Sequence, residues 1–456
     1  MRVYLESVGC KLNQSEIEAL AHGFVQAGHR LVQASEEADL CVVNTCTVTQ
    51  VADRKSRQLI RRLRRANPTA RLIVTGCYAE MSPQEVGVID GVDLIVGNED
   101  KERLVELAGN LGREDSESRA PISNLQSPTS SFKALPLGHT RAFVKIQDGC
   151  NNRCAYCIVS LARGRERSRP RQDILAEIEA LVAAGYKEVV LTGVHIGGYG
   201  RDLGTKARSS ALGQLVEDIL AETAVGRLPA PRLRLSSIEP WDLEPSLLRL
   251  WENPRLCRHL HLPLQSGCDA TLQRMGRRYT ASQYARLVAA TRRAIPEARS
   301  SALAVTTDVI VGFPGETAEE FAVSLTFVEK MEFARVHVFK YSARPGTAAA
   351  EMPHQVPYAE KKRRSEAMLG LARESSQRFH RRFLGQEMEV LWETRCRDAK
   401  HKRGFPPWSG LTDNYIRVMT SSELDLANTI TSTKLAGLFD GGMRGEVEKV
   451  RIEIPA

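Results

Sequence analysis

The run Asp148-Gly149-Cys150-Asn151-Asn152-Arg153-Cys154-Ala155-Tyr156-Cys157 places three cysteines within eight residues, in a CxxxCxxC spacing. Three thiolates this close along one chain can converge on a single inorganic centre, whereas a structural zinc site would need a fourth ligand from elsewhere. The matching chemistry is a 4Fe-4S cluster held through three irons, with the fourth open to a cofactor or substrate, much as catalytic zinc keeps an open position. A second set is dispersed. Cys10, Cys46 and Cys77 each stand just after a predicted strand, in Val8-Gly9-Cys10-Lys11, Asn44-Thr45-Cys46-Thr47 and Thr75-Gly76-Cys77-Tyr78. The strands of a parallel sheet open on one edge, so these thiols are expected to meet there, again as three ligands around an open iron. Their small or polar neighbours suit turns rather than packing. Cys41 lies inside an apolar strand, and Cys257, Cys268 and Cys396 stand singly, so each reads as a core or surface thiol.

The elements that must position both sets follow from periodicity. Val3–Leu5, Leu40–Val43, Leu72–Thr75 and Val92–Val96 read as buried strands. Ile17, Leu20, Ala21 and Phe24 recur at helical spacing, and a basic helix over about 53–66 is stopped by Asn67-Pro68. This predicts an N-terminal parallel-sheet α/β domain over 1–111. Residues 112–135, rich in Ser, Pro and charge with no apolar period, read as a linker. Six further strands are predicted at Phe143–Ile146, Val189–Thr192, Leu233–Ser236, His259–Leu264, Asp308–Val311 and Val336–Tyr341, with helical segments between them. They imply a partial (β/α)6 barrel over 136–366, with ligand groups at the carboxyl ends of its strands. Over 367–456 a long basic helix gives way to short strands at Met388–Trp392, Tyr415–Met419 and Val447–Ile454, which predicts a small all-β barrel. The fold class as a whole is α/β.

A chain of 456 residues exceeds one ordinary core, and its 42% hydrophobic, 26% charged composition excludes a disordered or fibrous class. The start, MRVYLESVGC, has no basic segment followed by an apolar one, and no run approaches the roughly 18 apolar residues of a membrane span. A cytoplasmic protein with no membrane partner is expected, and thiols stay reduced there, so the ten cysteines are not a disulfide framework. The net charge of +8 and pI near 9.0 favour a polyanion. Arg54, Lys55, Arg57, Arg61, Arg62, Arg64 and Arg65 set seven cations against one acid, Asp53, a density that points to phosphate contacts. Arg163, Arg165, Arg167, Arg169 and Arg171 form a second basic stretch. Arg378, Arg381, Arg382, Lys400, Lys402 and Arg403 near Phe405, Trp408 and Tyr415 suit RNA backbone and unstacked bases.

With both cysteine sets, the chain resembles the methylthiotransferase family of radical S-adenosylmethionine enzymes nearly end to end. The matching stretches are VGCKLNQSE (8–16), VVNTCTVT (42–49), VTGCYAE (74–80), KIQDGCNNRCAYCIV (145–159), LSSIEP (235–240), HLPLQSG (261–267) and TTDVIVGFPGET (306–317). The resemblance implies two 4Fe-4S clusters and S-adenosylmethionine, with catalysis carried by all six cysteines. The open iron of the cluster at Cys150, Cys154 and Cys157 would chelate S-adenosylmethionine for cleavage to a 5′-deoxyadenosyl radical. The cluster at Cys10, Cys46 and Cys77 would handle sulfur, so that a C–H bond becomes a methylthio group at the expense of two S-adenosylmethionine molecules. The C-terminal barrel would be a TRAM domain that binds transfer RNA. The segment NTCTVTQVADRKSRQLIRR (44–62) resembles the MtaB type, which acts on N6-threonylcarbamoyladenosine beside the anticodon (position 37), so the anticodon stem-loop is the expected partner. Ser160-Leu161 stands where the family pattern has Pro-Tyr, and Gly197-Gly198 follows His195 in place of small polar residues.

Further candidates sit at predicted strand ends. Gly193, opening GVHIGGYG, could let the backbone approach the cofactor, and Glu239, Gln265 and Asp308 could hydrogen-bond it. His195 and His261 read as satisfied polar histidines near the pocket rather than metal ligands. Other readings are methylthiolation of another tRNA adenosine or of a ribosomal-protein aspartate, and a non-catalytic RNA-binding protein with structural metal. Electron and sulfur donors are not identifiable from sequence.

Overall fold

The computed structural model describes residues 1–111, 140–204, 211–223, 230–295, 302–395 and 407–450. The expected linker at 112–135, with Cys396, Lys400, Lys402, Arg403 and Phe405, lies outside the described residues.

Strands β1 (Arg2–Ser7), β2 (Arg30–Leu31), β3 (Leu40–Thr45), β4 (Arg71–Gly76) and β5 (Leu94–Val96) form a wholly parallel sheet in the order β2-β1-β3-β4-β5. Its helices are α1 (Lys11–Gln26), α2 (Gln50–Ala66), α3 (Cys77–Met81), α4 (Pro83–Gly87) and α5 (Leu104–Asn110). Apolar side chains emerge on both faces because both faces are covered. Val43 and Val74 pack under Leu59, Ile60 and Leu63 of α2, whereas Val42 and Ile73 pack under Leu20 and Phe24 of α1. The Thr49 hydroxyl accepts from Ala52 N to start α2, and the Asn67 amide donates to the Ser35 and Ala38 carbonyls where it stops.

The central unit runs through β6 (Arg141–Asp148), α6 (Val159–Arg163), β7 (Arg167–Ser168), α7 (Arg171–Ala183), β8 (Glu188–Gly193), α8 (Ala211–Glu222), β9 (Arg232–Leu235), α9 (Pro245–Arg249) and β10 (His259–His261). It continues through α10 (Asp269–Arg274), α11 (Ala281–Ala294), β11 (Ala304–Val311), α12 (Ala318–Met331), β12 (Arg335–Lys340), α13 (Ala348–Glu351) and α14 (Tyr358–Arg381). Parallel ladders β6-β8-β9 and β10-β11-β12 are joined by single bridges at Leu233/Leu256 and Ser237/His261, and β7 pairs antiparallel on the free edge of β6. The result is the expected partial barrel of six parallel strands, its wall packed on helices through Val144, Leu191, Leu235, Leu260 and Val305.

Helix α14 is continuous across residue 366 and serves two cores: Met368 and Ala372 pack on the barrel, Phe379 on the C-terminal unit. There β13 (Glu387–Arg395), β14 (Trp408–Thr412), β15 (Arg417–Thr420), β16 (Ile430–Phe439) and β17 (Gly442–Val450) close a barrel in the order β13-β14-β15-β17-β16, consistent with a TRAM-like domain. Strands β14 and β16 were not among those expected. Their buried positions include Ser409, Thr412, Thr431 and Thr433, so hydroxyls carry the inward alternation that apolar residues usually signal. Among the described residues, no helix is long and apolar enough to cross a membrane.

Candidate active site

β1, β3 and β4 lie side by side, so their carboxyl ends bring Cys10, Cys46 and Cys77 to one edge. Cys10 caps α1 and Cys77 begins α3. The approach is close: a Cβ on Gly9, whose φ is +123°, would lie 2.7 Å from Cys46 Cβ. Asn13 donates to the Val8 and Thr45 carbonyls and so ties the Cys10 loop to the Cys46 strand. Cys46 and Cys77 are buried and Cys10 exposed. Burial, with Cys10 and Cys77 nearby, pushes the Cys46 thiol up to about 12, and burial raises Cys77 as well.

Cys150, Cys154 and Cys157 occupy the loop after β6. The loop is fixed by backbone bonds from Cys150 N to Gly164 O, Ala155 N to Met275 O and Cys157 N to Cys154 O. Burial pushes Cys157 up to about 12, with Cys154 and Cys150 adding to the shift. Behind Cys150 stands His195, its Nδ1 2.7 Å from Glu166 and its Nε2 2.5 Å from Asp242. Burial opposes a charge on His195, but bonds with Asp242, Cys150 and Glu166 outweigh it and raise the imidazole to about 10. Beside Cys154, the Arg277 guanidinium donates to Glu239, to the Pro263 carbonyl and to Cys154 Sγ at 3.6 Å.

Arg163 joins the two sets across the domain seam. Its Nε donates to Cys77 Sγ at 3.2 Å, and its other nitrogens reach Glu16, Asn13 and Asp148, two residues before Cys150. Lys101 also donates to Glu16. Burial would raise the Glu16 carboxyl, but Lys101 and Arg163 hold it well below the usual range. A second tie runs from Arg344 to Asp53 and to Thr47, next to Cys46.

The donor sets fit iron–sulfur clusters. Buried thiols with raised pKa stay protonated unless a metal takes the proton's place, and guanidinium donors to sulfur suit anionic sulfur. The group Cys150, Glu166 and His195, with one donor atom each within 4.8 Å, could hold an ion. The bonds within it instead serve to position Cys150.

Other expected residues fall variously. A Cβ on Gly193 would lie 2.8 Å from Gln147 O, and one on Gly197 2.5 Å from Asp242 Cβ, so the glycine-rich turn first makes room for the chain's own His195 cluster. Glu239 is committed to Arg277, and Gln265 is buried in the turn after β10 with φ +67°. Asp308 lies mid-strand in β11 rather than at a strand end, because β11 begins four residues earlier than expected. The second basic stretch is mostly absorbed internally: Arg163 is buried, Arg169 pairs with Glu177, and Arg171 with Asp218 and Glu222. Trp408 is core and Tyr415 stacks on His259 of the central barrel at 4.6 Å, so neither offers a free face to a base. Sequence reasoning missed Glu16, Glu166, Asp242 and Arg277; only the position of Glu16 and Glu166 beside cysteine segments hinted at them.

These features define a class, the radical S-adenosylmethionine enzymes with an added thiol-bearing domain. Residues 144–328 match the Radical SAM superfamily, and residues 2–97 match a family described as "Uncharacterized protein family UPF0004". The chain is 37% identical over 440 residues to "Threonylcarbamoyladenosine tRNA methylthiotransferase MtaB" of Bacillus subtilis (strain 168), covering 95% of this chain and 93% of that one. The protein of the same name in Thermotoga maritima is 39% identical, with 86% of each chain covered. The "tRNA-2-methylthio-N(6)-dimethylallyladenosine synthase" of Geobacter metallireducens is 34% identical, with 98% of each covered. The solved radical S-adenosylmethionine methyltransferase TsrM from Kitasatospora setae shares the fold, at TM-score 0.55 and 16% identity over 76% of this chain and 75% of that one. The chain belongs to the methylthiotransferase family of radical S-adenosylmethionine enzymes. It is a transferase that uses S-adenosylmethionine and 4Fe-4S chemistry.

Proposed function

We propose that this chain converts N6-threonylcarbamoyladenosine at position 37 of tRNA, next to the anticodon, to its 2-methylthio derivative. The observation that carries the reading is the pair of three-cysteine sets joined through Arg163, one within the radical barrel and one on the N-terminal sheet edge. Likeness to two proteins named for this substrate at 37% and 39% identity supports the choice of base. Cys150, Cys154 and Cys157 would hold one cluster and Cys10, Cys46 and Cys77 the other. When bound, the clusters and S-adenosylmethionine supply a radical able to take hydrogen from C2 and the sulfur that replaces it.

The chain's own groups do the rest. The His195, Glu166 and Asp242 network fixes Cys150, and Arg277 gives Cys154 Sγ a charged donor. Arg163 gives the same to Cys77 and holds the domains in register. Exposed Arg54, Lys55, Arg61 and Arg65 on α2 would meet the phosphates of the anticodon stem-loop. The cytoplasm, where tRNA is modified, would be the site of action. The test is nucleoside mass spectrometry of tRNA from a strain lacking the gene. Loss of the 2-methylthio form, with threonylcarbamoyladenosine itself accumulating, is expected; an unchanged level overturns the reading.

A further inference from the structure

The barrel lumen holds a second polar group that cluster binding does not use. Leu260, Val305, Val309 and Val336 point to the covering helices. Strand alternation therefore turns His261, Asp308 and His337, on neighbouring strands β10, β11 and β12, into the lumen. One donor atom of each lies within 4.8 Å of the others, and His261 Nε2 is 3.3 Å from Asp308. Lys11 enters from the other domain, as the residue after Cys10 and the first of α1. Its ammonium stands 5.4 Å over the Tyr415 ring, and its charge reaches Asp308 and His337. Most nearby cations are spent on acids: Arg141 on Glu393, Arg232 and Arg234 on Glu188, Arg258 on Asp413; Arg335, whose charge also reaches His337, is exposed at the start of β12. Among the described residues, no ion pair or hydrogen bond ties Lys11.

An ammonium with no ion pair, its charge reaching the His337 imidazole, suits one small anion. Burial lowers His337 to about 4, so at neutral pH it is a neutral donor rather than a second charge. A divalent metal on the two histidines and Asp308 would meet the Lys11 charge, and a phosphate dianion would meet that of Asp308. A monoanionic carboxylate brings one charge against Asp308 instead of two, and it matches the Lys11 cation with His337 as a neutral second donor, through charge-assisted bonds.

We infer that Lys11 and His337 form a carboxylate subsite in the barrel lumen, and that it receives the threonyl carboxylate of the modified adenosine. This rests on the proposed function and deepens it. The subsite selects an N6 substituent that ends in an acid over a hydrocarbon one such as dimethylallyl. His261, with Nδ1 on Thr306 and Nε2 on Asp308, holds Asp308 in place and does not touch the anion. The other source of the same chemistry is the methionyl carboxylate of S-adenosylmethionine.

The test uses the cluster-loaded chain and anticodon stem-loops carrying threonylcarbamoyladenosine or its neutral methyl ester. Dissociation constants for both stem-loops and for S-adenosylmethionine are measured with the wild type, Lys11→Met and His337→Phe, together with KM and kcat. The wild type is expected to bind the acid about tenfold to hundredfold tighter than the ester, the usual worth of a hydrogen bond to a charged group. Lys11→Met should erase that ratio while leaving affinity for S-adenosylmethionine in place, and Lys11→Arg should restore part of it. An acid-to-ester ratio that is near one in the wild type, or unaltered in Lys11→Met, overturns the subsite. So does a loss of S-adenosylmethionine affinity with the ratio intact, which would assign the carboxylate to the cofactor. Should Lys11→Met lose iron, His337→Phe, remote in sequence from the thiols, carries the same comparison. A wild type that binds the acid selectively but methylthiolates neither stem-loop contradicts the proposed function and leaves the subsite standing.

Discussion

At the residue scale, the two thiol sets depend on groups that carry no thiol themselves. Arg163 is 3% exposed and bonded to Glu16, Asp148, Asn13 and Cys77. Arg163→Met leaves the Glu16 and Asp148 charges partly unanswered, a loss of about 3 kcal/mol or more by the usual cost of breaking a buried pair. Denaturant unfolding should show it, and Arg163→Lys should recover only part, since one ammonium cannot serve several acceptors in a fork. Gly9→Ala drives a methyl against Cys46 and strains a positive φ. Iron bound after anaerobic reconstitution should fall by about half, one cluster of two; full iron would show that the N-terminal thiols tolerate displacement. The placement of Cys10, Cys46 and Cys77 on one sheet edge, and of Cys150, Cys154 and Cys157 in one loop, was legible because thiol spacing and strand ends leave a local trace. Glu16 and the roles of Arg163 and Arg277 were not, because a charge that will be buried, at the domain seam for Glu16 and Arg163 and within the central barrel for Arg277, looks in sequence like any surface charge.

At the scale of elements, α2 splits into a buried face of Ala52, Leu59, Ile60 and Leu63 and an exposed basic one. Arg62 is paired with Glu6 and Arg57 with Glu85, whereas Arg54, Lys55 and Arg61 stand exposed. Replacing those three by Ala should weaken tRNA binding and lower the slope of log affinity against log salt by roughly 0.7–0.9 per cation removed, if each meets a phosphate. An unchanged slope would move the RNA path elsewhere, and thermal stability should hardly change, since the three side chains are exposed. The apolar strands of the two parallel units were readable from their unbroken runs. β14 and β16 were not, because Thr and Ser fill inward positions there: Trp392 Nε1 donates to Thr431, which bonds Thr433 in turn. The same limit hid the reach of β11, whose Thr306 and Thr307 precede Asp308 without an apolar signal.

At the scale of the whole molecule, the C-terminal barrel is bound to the floor of the central one by buried charge. Glu188 pairs with Arg232 and Arg234, and these donate to the Leu411, Thr412 and Asp413 carbonyls. Glu188→Gln leaves two buried guanidiniums short of a counter-charge and should cost about 3–5 kcal/mol, seen as a lower unfolding midpoint. His380, at the end of α14, adds a pH dependence, since burial and then Arg335 lower it to about 4. The unfolded chain takes that proton first as pH falls below about 6.5, so the contribution is full above 6.5 and is lost on the way down to 4. Thermal midpoints of His380→Phe should fall less over that window than those of the wild type. Domain order was legible in sequence from changes of period, but the ties that fix the domains to one another were not. The most direct test of the central claim joins all three units: the reconstituted chain, S-adenosylmethionine, a one-electron reductant, sulfide and an anticodon stem-loop carrying threonylcarbamoyladenosine. A gain of about 46 daltons on the adenine, roughly one CH2S unit, is expected, with deoxyadenosine formed alongside. Deoxyadenosine without any mass gain on the stem-loop would contradict the central claim.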